Sequence, residues 1–484
     1  MNGSDPVNPQ TMMDLHEATR AVGGRMHGAP ARFSGVTTDS RKVSAGDLFV
    51  ALRGERFDGN EYVVEAFQRG AVAAVVSRLV PRASPVSQVV VDDTRIALGR
   101  LAAQWRARFA LPLVALTGSN GKTTVKEMLA SILAAHCGDR SMVLATEGNL
   151  NNDIGVPLTL LRLREAHRYA VIEMGMNHEA EIDYLTHIAQ PSVALVNNAQ
   201  RAHLGILGSV EAIARAKGEI YAGLKASGIA VINEDDAFAP YWKKLNTSPA
   251  SGARKDSKGV GEGRGEGGNR RVVTFGLGEG AQVRATVDGP QVRFVTPADA
   301  FAVRLQVAGE HNVRNALAAC AAAHALEIPP HAIQDGLNHF GGVPGRLQRR
   351  PGRSGSVVID DSYNANPESM KAAIGVLAEE PGRRVFVMGD MGELGPGAAE
   401  MHAEVGAFAK ASGVDALLAL GLASRGAAQA FGTGARHFDD AAQLIEEAGH
   451  EAARGATLLV KGSRFMQMER VADALALPGN DHAA

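Results

Sequence analysis

Apolar residues along this chain gather in short runs, each followed by a turn and then a longer stretch with helical spacing, which is the rhythm of alternating strands and helices. FSGVTTDS, DLFVAL, AVAAVV and QVVVDD, with a helix-like segment around Glu61 to Gly70, predict a small α/β unit at the start. Thr94 to Phe109 reads as a helix leading into the next unit. There LPLVALTGSNGKTTVKEMLASIL predicts a buried strand, a glycine loop and an amphipathic helix, the opening of a doubly wound layer. YAVIEMG, SVALVNN and GIAVINED supply further parallel strands. From about Gly341, strand-loop-helix units recur at SVVIDDSYNANPESMKAAIGVL, RRVFVMGDMGELG, VDALLALG and ATLLVKGSRFMQMERVADAL. The expected fold class is α/β in three domains: a small N-terminal α/β unit over 1–109, a central doubly wound parallel sheet over 110–340, and a Rossmann-like unit over 341–484. A length of 484 residues agrees, since one compact core does not serve a chain of that size.

Asn246 to Arg270 interrupts the pattern, being rich in Gly, Ser, Arg and Glu and almost free of large apolar residues. It reads as a disordered surface insertion. Its charges are of both signs and it has no aromatic residue, which is not the make-up of a nucleic-acid-binding arm.

Composition narrows the functional classes. Lys plus Arg number 50 against 52 Asp plus Glu, so no global field draws the chain to nucleic acid or an anionic membrane. Two cysteines, Cys137 and Cys320, both in alanine-rich helical stretches, make no disulfide framework. The polar leader MNGSDPVNPQ lacks the pattern of a secretory signal, and no run is long and apolar enough to span a bilayer. A soluble, cytoplasmic, monomeric chain without membrane insertion is expected.

Thr117 to Thr124, TGSNGKTT, lies between an apolar strand and a helix, the context that makes a glycine string a phosphate cradle. The amides of Gly118, Ser119, Asn120, Gly121, Lys122 and Thr123 can wrap phosphate oxygens, with Thr124 next in the run. Lys122 can neutralise the transferred phosphoryl group, and the Thr123 hydroxyl can ligate Mg²⁺. Leu116 stands where the usual loop has its first glycine, so the loop is a variant. Glu173 ends an apolar strand and reads either as a Mg²⁺ ligand or as a solvated strand-end carboxylate. His203 follows another strand and reads as a second metal ligand or a hydrogen-bonded loop histidine. Lys217, on the helix of ARAKGEIY, would ordinarily be a solvated charge.

In order along the chain, TGSNGKTT, TEGNLNNDIGVPLTLL, EMG, AHLG, AKGEI, GEHNVRNALAA, PGR and DDSYNANP resemble the Mur ligase family, and the resemblance covers nearly the whole chain. NNDIGVPLTLL, DDSYNANPESM, MGDMGELG and KGSR are similar to the member that takes D-alanyl-D-alanine. The resemblance implies a reaction in which ATP phosphorylates the terminal carboxylate of UDP-N-acetylmuramoyl-tripeptide and the amine of D-alanyl-D-alanine displaces the phosphate. It implies two Mg²⁺ ions held by Thr123, Glu173, His203 and a Lys217 carbamylated by carbon dioxide. It places Asn312 by the adenine, and Arg346 and Asp361 from the third domain at phosphate and ribose, hence closure of the domains. Ser40 and Arg41 would meet the UDP moiety, Asn149 and Asn152 the muramoyl peptide, Asn364 and Asn366 the incoming dipeptide. Two positions depart from the pattern, Asn60 where the family has histidine and Ala199-Gln200 where Ile-Gly is frequent. The competing readings are a folate polyglutamate ligase, against which DDSYNANP and the N-terminal DSR segment speak, and a nucleotide-gated regulatory protein that ligates nothing.

Overall fold

A computed structural model describes residues 11–83, 86–247, 270–288 and 291–477. Three α/β domains follow one another. In the first, a five-stranded sheet runs in the order Arg25–His27, Ser87–Val90, Ala73–Val76, Asp47–Val50, Gly35–Thr37, parallel except at its Arg25–His27 edge. Asn60, the departing position, is buried there. Its amide bonds to Asp58 Oδ1 and Ser77 Oγ, and its oxygen accepts from the Ser77 backbone.

The central sheet has nine strands. Its phosphate-loop strand Leu113–Thr117 lies between Tyr169–Glu173 and Val193–Val196, with Val143–Ala145 beyond the first and Ile229–Asn233, Arg271–Gly276 and Val283–Asp288 beyond the second, all parallel. Such an arrangement puts the chain reversal, and hence a crevice, at the carboxyl ends of the middle strands. Two features differ from the sequence reading. The sheet is not purely parallel, because Gln291–Val295 and Ala300–Val303 extend it as antiparallel strands. And helix Lys122–Cys137 is not amphipathic: it lies between the sheet and helices Glu310–Ala325 and Pro330–Asn338, burying residues on all sides, Lys126 among them.

The last domain has a six-stranded sheet, Gln348–Pro351, Val357–Asp361, Thr457–Lys461, Arg384–Gly389, Ala416–Leu420, Ala435–Phe438, parallel but for its first strand. Apolar packing divides the molecule unequally. One continuous core runs from the first domain through helix Thr94–Arg106 to one face of the central sheet. The last domain keeps both of its cores to itself. Its contacts with the phosphate-loop region are hydrogen bonds and ion pairs.

Of the expected insertion, 248–269 lies outside the described residues. Its expected ends need correction: Asn246 is a buried residue of helix Ala239–Thr247, its amide bonded to the Trp242 carbonyl, and the Arg270 amide donates to the Asn246 carbonyl at 3.0 Å. Cys137 and Cys320 are free, both helical. Among the described residues no helix is long and apolar enough to cross a membrane.

Candidate active site

The phosphate loop opens into a cleft of about 900 Å³ between the central and last domains. Ser119, Asn120, Gly121, Lys122, Thr123, Thr124, Glu173, His203 and Asn312 line it from one side, and Arg346, Asp361, Asn364 and Asn366 from the other. The loop is shaped by a ladder of amides. The Ser119 amide donates to the Asn198 carbonyl and the Asn120 amide to Asn198 Oδ1, while Asn197 Nδ2 donates to both the Asn120 carbonyl and Asn315 Oδ1. Two of the amides expected to cradle phosphate are thus already engaged. Those that open the helix at Lys122 have no partner within it and are the ones that face an anion. Gly121 is a necessary glycine, since its φ is +78° and a Cβ would stand 2.1 Å from Asn315 Oδ1.

Side-chain chemistry converges at the start of that helix. Thr123 Oγ1 donates to Glu173 Oε2 at 2.8 Å and accepts from Arg346 Nη2 at 2.8 Å, so two domains meet on one hydroxyl. Asn151 Nδ2 donates to Glu173 Oε1 at 2.8 Å, and the Glu173 amide donates to Thr146 Oγ1. Glu173 is therefore buried and fixed at both oxygens, not a solvated strand end. Lys122 Nζ donates to the Gly118 carbonyl at 2.7 Å. Burial pushes its pKa down, opposed by the Glu173 carboxylate.

Lys217 is no surface charge. It is buried at 1% exposure among Ala212, Ile213, Ala214 and Ala216, and among the described residues no carboxylate lies within ion-pair distance of it. Burial first, and then the neighbouring Lys122, hold its pKa well below the ordinary lysine value. His203, with φ of 61°, places Nδ1 2.7 Å from Glu393 Oε2 of the last domain, without hydrogen-bond geometry.

Asp361 anchors the far wall: it accepts from the Leu347 amide and pairs at 2.6 Å with Lys461, which is buried and also donates to the Asn364 carbonyl. Arg346 stacks over Tyr363 at 4.3 Å. Asn312 Nδ2 donates to the Ala308 carbonyl and its oxygen accepts from Asn315.

Other expected residues stand apart from this cleft. Ser40 is buried in a turn of the first domain, and the exposed Arg41 forks onto Asp39 through Nε and Nη2, which holds the Asp39 pKa at about 2. Asn149 is exposed in a turn, and the Asn152 side chain accepts from the Ile154 and Gly155 amides at the start of helix Gly155–Leu160. It is Asn151, between them, that reaches the site. Replacing Asn151 with alanine leaves Glu173 Oε1 without its donor. The expected result is a loss of about 1–3 kcal/mol of stability, read by denaturant unfolding, since a buried carboxylate oxygen loses its hydrogen bond.

A phosphate loop on the central domain, faced across one cleft by Arg346 and Asp361 of the last domain, defines the class of a nucleotide-using enzyme whose site is shared between two domains. The chain matches the Mur ligase family catalytic domain over 32–106, the Mur ligase middle domain over 116–323, and the Mur ligase glutamate ligase domain over 345–464. It is 43% identical over 469 residues to the Escherichia coli UDP-N-acetylmuramoyl-tripeptide--D-alanyl-D-alanine ligase, covering 95% of this chain and 98% of that one. Among solved structures it resembles MurF from Acinetobacter baumannii, with TM-score 0.83, 38% identity, 95% of this chain and 98% of that chain. MurF from Thermotoga maritima, solved with ADP, gives TM-score 0.75 at 27% identity over 91% of this chain and 96% of that one. The chain belongs to the Mur ligase family.

Proposed function

We infer that this protein is an ATP-dependent, ADP-forming ligase that joins D-alanyl-D-alanine to UDP-N-acetylmuramoyl-tripeptide, giving the pentapeptide used in peptidoglycan synthesis. The observation that carries this reading is the convergence on one phosphate loop of Lys122 and Glu173 from the central domain and Arg346 from the last. On this reading residues 1–109, with Ser40 and Arg41, hold the UDP-sugar, 110–340 bind ATP, and 341–484 bring the amine. One chain supplies the whole cleft, which suits a monomer, and its soluble substrates suit the cytoplasm.

A carboxylate is a poor electrophile until one oxygen becomes a leaving group. The γ-phosphoryl of ATP, held by the helix-start amides, passes to the tripeptide carboxylate while Lys122 and Arg346 offset the negative charge brought together. The dipeptide amine then attacks the acyl carbon, the amide bond forms, and phosphate departs. The domain walls exclude water, which would otherwise hydrolyse the acyl phosphate. By the family resemblance Asn312 and Asp361 would lie beside adenine and ribose, Asn312 turning from its present partners Ala308 and Asn315 to do so.

Thr123 and Glu173 offer hard oxygens side by side, a donor set that fits one Mg²⁺ completed by phosphate and water. Among the described residues no cluster of three or more His, Cys, Asp or Glu would hold a metal unaided. A second ion, which the family resemblance assigns to His203 and Lys217, would require the lysine to carry a carboxylate: its neutral amine would add to carbon dioxide, releasing a proton and leaving a carbamate. The metal would supply charge screening at the phosphoryl oxygens. The test is phosphate release with ATP, Mg²⁺, UDP-N-acetylmuramoyl-tripeptide and D-alanyl-D-alanine, each omitted in turn. Release that needs all four, with a pentapeptide by mass, is expected; release indifferent to the dipeptide overturns the reading.

A further inference from the structure

The loop that departs from the family pattern, Ala199-Gln200, leads into a joint that none of the catalytic roles above explains. Gln200 holds the phosphate loop: its amide donates to Ser119 Oγ, its carbonyl accepts from the same hydroxyl, and its Oε1 accepts from Asn120 Nδ2 at 2.6 Å. The next residue, Arg201, holds the other domain. Its guanidinium forks onto Glu404 at 2.9 and 3.0 Å and reaches Glu368 through Nε, and Lys371 closes the network on Glu404. Four residues on, the Gly205 amide donates to the Glu393 carbonyl. A Cβ on Gly205 would stand 2.6 Å from the Gly395 nitrogen, so the two backbones touch.

Helix Pro367–Ala378 completes the joint. Its cap, Asn366, accepts from the Ser369 amide at 2.9 Å and donates through Nδ2 to Asn120 Oδ1 at 2.8 Å. Both ends of that side chain are engaged with protein, which leaves it little capacity to hold a dipeptide directly. Glu368, in the first turn of the same helix, is the residue that Arg201 reaches. One helix start thus rests on the phosphate loop twice, through Asn120 and through the loop that Gln200 shapes. Among the described residues no apolar cluster joins the two domains here, and the polar contacts are the chief ties that set their registry.

We propose that Arg201 and Asn366 are positioning residues, which seat the start of helix Pro367–Ala378 on the phosphate loop and so align Arg346 with the Thr123 hydroxyl. This rests on the ligase reading above. A single exposed ion pair contributes little, but a forked guanidinium within a four-residue network fixes geometry as well as charge. Misplacement of a reacting group by about 1 Å costs on the order of a hundredfold in rate.

The test uses full-length protein carrying Arg201→Met and, separately, Asn366→Ser, which keeps a helix-capping hydroxyl while removing the donor to Asn120. Affinity for a non-hydrolysable ATP analogue with Mg²⁺ is measured by calorimetry, and the radius of gyration by small-angle scattering with analogue and UDP-N-acetylmuramoyl-tripeptide. Turnover is measured across ionic strength. Expected are analogue affinity within twofold of wild type, kcat lower by roughly tenfold to a hundredfold, and loss of the ligand-induced contraction seen in wild type. Arg201→Lys should recover part of the rate. Variants that contract and turn over like wild type overturn the inference, as does wild-type protein that binds both ligands without contracting. Wild-type protein that fails to bind the analogue overturns the ligase reading instead.

Discussion

Replacing Lys122 with methionine will lower phosphate release by about a thousandfold while leaving the protein folded. The lysine sits at the opening of the loop helix with its ammonium on the Gly118 carbonyl, so its loss removes one hydrogen bond but no packing layer. What goes is a cation at the point where two anions, the γ-phosphate and a carboxylate, must be brought together. Arg346 remains, but it is committed to the Thr123 hydroxyl and the Tyr363 face. Single-turnover measurements should place the loss in acyl-phosphate formation, with the melting temperature nearly unchanged. A rate within tenfold of wild type would mean that Arg346 alone neutralises the transferred group.

Lys217→Met is expected to reduce turnover comparably and yet to raise stability. Burial, and then Lys122, hold the Lys217 pKa well below the ordinary lysine value in the folded protein, whereas the unfolded chain binds a proton at the ordinary value. The unfolded state therefore holds more protons, and unfolding free energy rises with pH from the depressed folded value up to about 10.5. Methionine fills similar volume without a group to neutralise. A gain of about 1–3 kcal/mol at neutral pH is expected, as for removal of an unsatisfied buried polar group, together with loss of that pH slope. Bicarbonate gives a second readout. Carbon dioxide that modifies only the folded protein stabilises it by mass action, so added bicarbonate should raise the melting temperature of wild type and not of Lys217→Met. Equal shifts in both would refute carbamylation.

The phosphate loop was legible because strand, glycine turn and helix are contiguous, and each local signal agrees with the next. The three-domain α/β order was legible for the same reason, repeated along the chain. Less visible was anything set by contact between distant segments. Asn120 and Asn366 lie 246 positions apart, and neither carries a mark of the other. Asn149 and Asn152 were named by resemblance to a segment facing the peptide, and a loop has no period to say that Asn151, between them, turns toward Glu173. Lys217 read as solvated because it lies on a helix. The apolar residues just before it, Ala212, Ile213, Ala214 and Ala216, were the available signal of burial. Val283–Asp288 and Gln291–Val295 escaped notice because their alternation of charged and apolar positions is short and set in polar surroundings.

The hydrogen bond from Arg270 to the Asn246 carbonyl bears on engineering. It brings the chain back to its point of departure before strand Arg271–Gly276 begins, at the end of that strand remote from the cleft. A flexible linker added between two positions held this close costs only about 0.6 kcal/mol for each doubling of its length. A fluorescent or affinity passenger spliced between them would ride on a closed gate in the backbone, reporting on the enzyme while the ligation cleft runs undisturbed.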